Sequence, residues 1–345
     1  MQLRQTSSLI SVLATLLVGT MAGLPAPAKA EKSPFAHVSM KVFADLLKIP
    51  LEPPEVAPTV HSAREEDGLV IEDVSWPSIG GDRVPAYVVR PARVSGRMPV
   101  IVCLHGSSTN RDVDVAPKYE YGEWTRYGTN RKGKTLYGWA RELARRGYIT
   151  LAMTQRGLDN RIPDTESRNK ELLVRGRNVM GTIVYEIRQA VSYLQQRPDV
   201  DPSRIGMTGI SFGGITTFYT WLVDDRITAA APICGGIGSV EKFIAHGART
   251  YHGIYWWVPD LLTKGDHGEF AAAMAPRPLM LWAPTDDIGM PNEGIDRFLE
   301  VAMPAYKQAG ASDRLVVHRP PGQHALTMES VDAAFHFFEK FLKGI

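Results

Sequence analysis

Hydrophobic and polar positions change rhythm several times along the chain, and the changes outline a fold. An apolar run from Leu9 to about Leu24 comes first, and residues 31–67 are then Pro-rich and irregular, with one apolar stretch, MKVFADLLKI, that predicts a surface helix. From Gly68 the pattern becomes regular. GLVIEDVSW and VPAYVVRP are two short extended runs, and Gly80-Gly81-Asp82 between them has the chemistry of a hairpin turn. MPVIVCLHG is a continuous apolar run rich in β-branched residues, which predicts a strand covered on both faces.

Beyond that strand the two periods alternate. LYGWARELARRGY has apolar residues at helical spacing, YITLAMTQ reads as a strand, and NVMGTIVYEIRQAVSYLQQRP is a long helix stopped by Pro198. RIGMTG is a short strand followed by the helix-like GITTFYTWLVDD. ITAAAPICGG and RPLMLWAP are further strands, and EGIDRFLEVAMPAYKQAG, RLVVHRP and VDAAFHFFEKFLKGI close the chain as helix, strand and helix. Such alternation predicts an α/β fold, a mostly parallel sheet with helices on both faces. Two insertions interrupt it: a polar, tyrosine-rich segment from Ser107 to about Lys134 and an aromatic one from Ile237 to about Glu269.

Composition narrows the function classes. The 39 Lys and Arg are interleaved with 37 Asp and Glu, which leaves no basic footprint for nucleic acid or an anionic membrane surface. No repeat of twenty to fifty residues is present. The two cysteines, Cys103 and Cys234, lie in apolar strand runs with no second ligand nearby, so the sequence predicts buried free thiols, no disulfide framework and no metal site. Arg4, the apolar run and Ala28-Lys29-Ala30 have the order of a signal peptide, and the run is short for a span and followed by Pro25 and Pro27. The expected organisation is a signal peptide at 1–30 cleaved after Ala30, an N-terminal arm at 31–67 and a catalytic domain at 68–345. The mature protein is expected to be periplasmic or secreted, with no membrane attachment.

Candidate chemistry gathers where strands end, as it does in open α/β sheets. In MTGISFGG, Ser211 sits between RIGMTG and a helix, flanked by Gly209 and Gly213. A strand turning directly into a helix crowds the chain, so β-carbons at those glycines would clash and the central hydroxyl would be pushed outward over a helix N-terminus. A serine that merely caps the helix is the competing reading. His324, in HRPPGQHALT, follows the last predicted strand and can reach back to Ser211 as a general base. Asp286 and Asp287 follow the strand before it; one would hold the imidazole, and Asp287 is favoured. The backbone N–H groups of Phe212 and Ser107 are the expected oxyanion donors. His105, His318 and His336 are read as structural.

Together CLHGSS, RIGMTGISFGG, AAMAPRPLMLW and PPGQH, with serine, acid and histidine in that chain order, resemble the α/β-hydrolase superfamily, in its dienelactone-hydrolase-like and acetyl-xylan-esterase-like branch. The resemblance runs from about Gly68 to the C-terminus. It implies the α/β-hydrolase fold, an acyl-enzyme mechanism and no metal or organic cofactor. Two departures matter: Ser211 stands where dienelactone hydrolases proper use cysteine, and Pro284 replaces the usual glycine three residues before the acid. The implied function is a secreted serine carboxylic-ester hydrolase acting on a small-molecule or carbohydrate ester, removing acetyl or other acyl groups. A serine peptidase of related fold and a non-catalytic binding protein on this fold are the alternatives. Aromatic residues of the two insertions, Tyr119, Tyr121, Trp124 and Tyr127 in the first and Tyr255, Trp256 and Trp257 in the second, are candidates to stack on a sugar ring or an aromatic acyl group. Arg126, Arg131, Lys132 and Lys134 form a basic loop that either attracts an anionic substrate or is simply solvated.

Overall fold

A computed structural model describes residues 38–344 apart from 80, 94, 108, 126–131, 158–160 and 162–164. The expected signal peptide and the first part of the expected arm, with Arg126, Tyr127 and Arg131, lie outside the described residues. In chain order the elements are α1 (Met40–Leu47), β1 (Thr59–Glu66), β2 (Leu69–Pro77), β3 (Arg83–Pro91), β4 (Met98–Leu104), α2 (Arg111–Asp114), β5 (Glu120–Thr125) and β6 (Lys132–Tyr137). They continue with α3 (Trp139–Arg145), β7 (Ile149–Met153), α4 (Thr165–Val174), α5 (Val179–Gln196), β8 (Val200–Ile210), α6 (Phe212–Val223), β9 (Ala229–Ile233) and α7 (Val240–Ala245). The last are α8 (Leu261–Lys264), α9 (His267–Ala273), β10 (Leu279–Trp282), α10 (Asn292–Gln308), β11 (Leu315–His318) and α11 (Met328–Phe338).

Nine strands form one sheet in the order β1-β2-β3-β7-β4-β8-β9-β10-β11. The pairings β1 to β2, β2 to β3 and β3 to β7 are antiparallel, and every pairing from β7 to β11 is parallel. Strand β4 shows why its sequence reads as one apolar run. Alternate side chains of a strand face opposite sides, and here Val100, Val102 and Leu104 enter the core beneath α5 and α6 while Ile101 and Cys103 enter the core beneath α3 and α11. Both faces pack against apolar side chains, which is why the run carries no polar residue. The chain is thus an α/β-hydrolase fold, a mostly parallel sheet sandwiched between helices.

The region expected as an N-terminal arm belongs, from residue 38 onward, to the same compact unit as the rest of the chain. Ser39 caps α1, its hydroxyl accepting from Val42 N at 3.3 Å. The helix expected at the surface drives Phe43 into the core, where the ring lies 4.9 Å from Tyr219 and 4.7 Å from Phe270. Strand β1 pairs with β2 as the edge of the sheet, and all eight of its residues, Thr59–Glu66, precede the expected domain start at residue 68. Seven of its side chains are exposed, so it carries no hydrophobic alternation for a sequence to display. The first insertion contains the hairpin β5–β6, paired from Glu120 opposite Tyr137 to Thr125 opposite Lys132, and the second contains α7 and α8.

Candidate active site

Strand β8 ends at Ile210 and α6 begins at Phe212, so the whole turn falls on Ser211. Its backbone has φ 57° and ψ −112°, a region that costs a residue with a β-carbon about 1–3 kcal/mol. The surroundings impose it: Ser211 N donates to Ile233 O at 2.9 Å, and Ile215 N to Ser211 O at 3.1 Å. A β-carbon on Gly213 would lie 2.0 Å from Leu104 O, and one on Gly209 would lie 2.5 Å from Gly213 O. The glycine spacing is therefore a packing requirement where β8, α6 and the end of β4 meet. Ser211 does not cap α6 with its hydroxyl, and its residue borders a cavity of about 300 Å³.

Gly106 and Ser107, just past β4, line the same cavity beside this turn: a β-carbon on Gly106 would lie 3.8 Å from Ser211 Cβ. Buried His105 fixes this loop. Its Nε2 accepts from Gln155 N at 2.9 Å, which requires the proton to be on Nδ1, and Nδ1–H donates to Gly106 O at 2.7 Å. Burial lowers its pKa to about 4, so the ring is neutral and both nitrogens keep these roles. Gln155 also donates from Nε2 to His105 O at 2.9 Å and accepts from Thr216 Oγ1 of α6 at 2.7 Å. One buried side chain thereby ties the Ser107 loop to the helix that starts at Phe212. The N–H groups of Ser107 and Phe212 are the two candidate oxyanion donors, the second belonging to a helix first turn with no intrahelical partner.

His324, which also lines the cavity, has its Nδ1 2.8 Å from Asp287 Oδ2. The Asp287 side chain is fully buried, and its Oδ1 accepts from Gly289 N at 2.9 Å. His324 remains 30% exposed and borders the same cavity as Ser211. Asp286 points elsewhere: it is exposed, and its Oδ2 accepts from Gly322 N at 3.2 Å while its own N–H donates to Gly322 O at 2.9 Å. It pins the His324 loop without touching the imidazole. His318 lies beside Trp282, ring centres 5.6 Å apart, and His336 Nδ1 donates to Asp332 O within α11.

Cys234 is the neighbour that sequence reading left out of the site. Its thiol, Asp287 and His324 offer ligand atoms all within 4.8 Å of one another. The donor set does not suit a metal ion. Burial, then the Asp287 charge, hold the thiol pKa far above its usual range, and its S–H donates to Ala325 O at 3.6 Å, whereas a metal needs the thiolate. The His324 nitrogen in the group is already engaged by Asp287.

Of the expected substrate-binding residues, Trp124 and Trp256 line the cavity, whereas Tyr119, Tyr121 and Trp257 do not. Strand parity explains the first split. Tyr121 and Trp124 stand an odd number of positions apart on β5 and so face opposite sides; Tyr121 turns to α11, its hydroxyl accepting from Met328 N at 3.0 Å. Tyr119 packs into the core cluster beneath α3 and α11. Trp257 turns its indole N–H to His252 O at 3.3 Å and meets Trp256 nearly at right angles. Tyr255 borders the cavity, set edge-on to Phe212 at 4.7 Å. Tyr251 and His252, which open the same YHGIYWW stretch and are not among the expected residues, also line it. Lys134 also lines the cavity and is the one lysine, arginine or carboxylate among the described lining residues.

Known proteins share the family and the fold. The family model described as X-Pro dipeptidyl-peptidase (S15 family) matches residues 80–277, more than half of the chain. "Putative hydrolase YtaP" of Bacillus subtilis (strain 168) is 28% identical over 303 residues, covering 88% of this chain and 98% of that one. Among solved structures, a glucuronoyl esterase from Solibacter usitatus superposes with TM-score 0.65 at 18% identity, covering 87% of this chain and 91% of that one. An acetyl xylan esterase from Paenibacillus sp. R4 superposes with TM-score 0.60 at 19% identity, covering 92% and 97%.

Proposed function

Since the chain belongs to the X-Pro dipeptidyl-peptidase (S15) family, an α/β-hydrolase family, it is a hydrolase of the esterase and peptidase type, and we propose that it is a serine carboxylic-ester hydrolase working through an acyl-enzyme. The observation that carries this reading is the shared cavity: Ser211 and His324 both border it, while buried Asp287 holds His324 from behind. In the proposed reaction Ser211 Oγ attacks the ester carbonyl and His324 takes its proton, with Asp287 stabilising the imidazolium. The N–H groups of Ser107 and Phe212 receive the oxyanion. The imidazolium protonates the departing alcohol, and the neutral ring then activates water to release the acid.

The choice of an ester over a dipeptide rests on charge. A dipeptidyl-peptidase must hold the α-ammonium of its substrate, and the fixed charge that the described lining offers, Lys134, is cationic. Neutral or anionic substrates suit it better. Trp124 and Trp256 supply flat apolar surface of the kind that stacks on sugar rings, and fold neighbours that bear the names acetyl xylan esterase and glucuronoyl esterase support a carbohydrate ester. The family model keeps a peptidase as the second reading. The leader-like residues 1–30 support export, with mature protein starting at Glu31, which N-terminal sequencing of the exported product would check.

The deciding experiment compares nitrophenyl acetate, a feruloyl ester, acetylated xylo-oligosaccharide and alanyl-prolyl nitroanilide as substrates for the wild type and Ser211→Ala. Ester turnover abolished by Ser211→Ala is expected. Faster turnover of the prolyl anilide than of every ester would replace this reading with the peptidase one.

A further inference from the structure

The aromatic segment does more than wall the cavity, because two of its consecutive residues grip the turn that carries Asp287. His252 Nε2 lies 3.0 Å from Gly289 O. A carbonyl only accepts, so this nitrogen carries the ring proton and donates it. Gly289 N–H in turn donates to Asp287 Oδ1 at 2.9 Å, and Asp287 Oδ2 meets His324 Nδ1 at 2.8 Å. From the other side the Tyr251 ring presses on the same glycine, where a β-carbon would come within 2.4 Å of it.

His252 is itself held firmly. Its ring stacks on Trp256, centres 4.4 Å apart and planes 10° from parallel, and the Trp256 indole N–H donates to Gly236 O at 3.1 Å. Burial lowers the His252 pKa to about 4, so the ring is neutral and adds no charge beside the acid. We propose that His252 is a positioning residue for the acid: by fixing the Gly289 carbonyl it holds the Gly289 N–H on Asp287 and so sets the direction in which Asp287 presents its second oxygen to His324. This rests on the proposed triad. Because His252 also borders the cavity, the wall that receives substrate and the acid that orients the base are one mechanical unit.

Two variants separate the hydrogen bond from the ring. His252→Phe keeps a flat ring against Trp256 and removes the donor, and His252→Gln restores a donor without the ring. With nitrophenyl acetate as probe, His252→Phe is expected to lower kcat about tenfold, the size of one well-placed hydrogen bond, with KM within about twofold and His252→Gln in between. In an Asp287→Asn background the same change is expected to have no further effect, since a residue that acts through Asp287 has nothing left to orient. An independent readout is the downfield proton NMR signal of the His324 Nδ1–H, identified by its loss in His324→Gln. That signal should move or broaden in His252→Phe. Equal losses in both backgrounds, a loss confined to KM, or an unmoved signal would overturn the proposal. If the wild type cleaves no ester and Ser211→Ala changes nothing, the triad reading fails and the NMR signal alone decides the role of His252; if His252→Phe does not fold, His252→Gln carries the same comparisons.

Discussion

Gly213→Ala is the sharpest test of how the nucleophile turn is built. The added methyl would lie 2.0 Å from Leu104 O, 2.5 Å from Leu104 C and 2.8 Å from His105 O. These are backbone atoms at the end of a buried strand and of the residue just past it, so no rotamer change relieves the clash. Helix propensity alone favours alanine over glycine by up to about 1 kcal/mol, whereas overpacking costs about 1–3 kcal/mol, at the upper end where backbone must shift. The clash should win by about 2 kcal/mol, lowering Tm by roughly 4–8 °C at about 2–4 °C per kcal/mol for a chain of this class. The shift would fall on Leu104 and His105, directly before the Ser107 loop, and a displacement of about 1 Å there is expected to cost about 100-fold in kcat. Gly181→Ala is the matched control: its methyl would lie 1.9 Å from Leu47 O, where α1 meets α5, and neither residue borders the cavity. It should lose comparable stability while each folded molecule keeps wild-type ester turnover. Thermal melts followed by circular dichroism, paired with nitrophenyl acetate kinetics per mole of folded enzyme, give both numbers. A Gly213→Ala melt at or above that of the wild type, or equal losses of activity in the two variants, would refute the reasoning.

The remaining predictions use the same assays. Asp287→Asn is expected to lower kcat by about 10³–10⁴-fold, whereas Asp286→Asn, which can still accept from Gly322 N, should stay within a few-fold of wild type; similar losses in both would remove the assignment. His105 sits at about 4 in the folded protein against 6.5 when free. A depressed folded pKa means that the unfolded chain binds the proton first, so this stability is present above pH 6.5 and is lost as pH falls towards 4. Between pH 7 and pH 5 the loss from this one group is about 2 kcal/mol. Urea unfolding of His105→Asn should therefore show a fall over that interval smaller by about that amount, and an unchanged fall would contradict it. Lys134→Gln should reduce kcat/KM up to about fivefold for a hemisuccinate ester and leave the butyrate ester of the same alcohol alone, with the wild-type advantage fading as salt is raised.

What the sequence could disclose depended on whether a requirement was local. Gly209, Ser211 and Gly213 answer to a crowded junction within a few residues, so the constraint is written where it acts. The acid was harder because Asp286 and Asp287 both engage the loop that carries His324, one through Gly322 and the other through the imidazole. Only the tertiary course of that loop makes them different. Tyr121 was misplaced because YEYGEWTRYGTNRKGK reads as a loop, and a loop has no parity; once β5 is a strand, Tyr121 and Trp124 must part company. Strand β1 left no trace for the opposite reason, since an exposed edge strand such as TVHSAREE needs no apolar face, and Phe43 looked like a surface helix residue until Tyr219 and Phe270 were there to receive it.

Two histidines near the proposed site, His105 and His252, do not titrate near neutrality, and the reason lies in what each must hold. His105 donates from one nitrogen and accepts at the other, a pairing open only to a neutral ring; protonation would leave Gln155 N–H facing a second donor. His252 donates to Gly289 O beside a carboxylate whose charge His324 needs undiluted, and an imidazolium there would compete for Asp287. Burial keeps both at about 4. His324, partly exposed and bound to Asp287 on one nitrogen only, is the ring of the three that can change charge during a turnover without releasing a loop. The geometry therefore separates the proton-transfer task from the anchoring tasks by solvent access, and exposing His105 to protonation should disturb the oxyanion donors, as exposing His252 should disturb the acid.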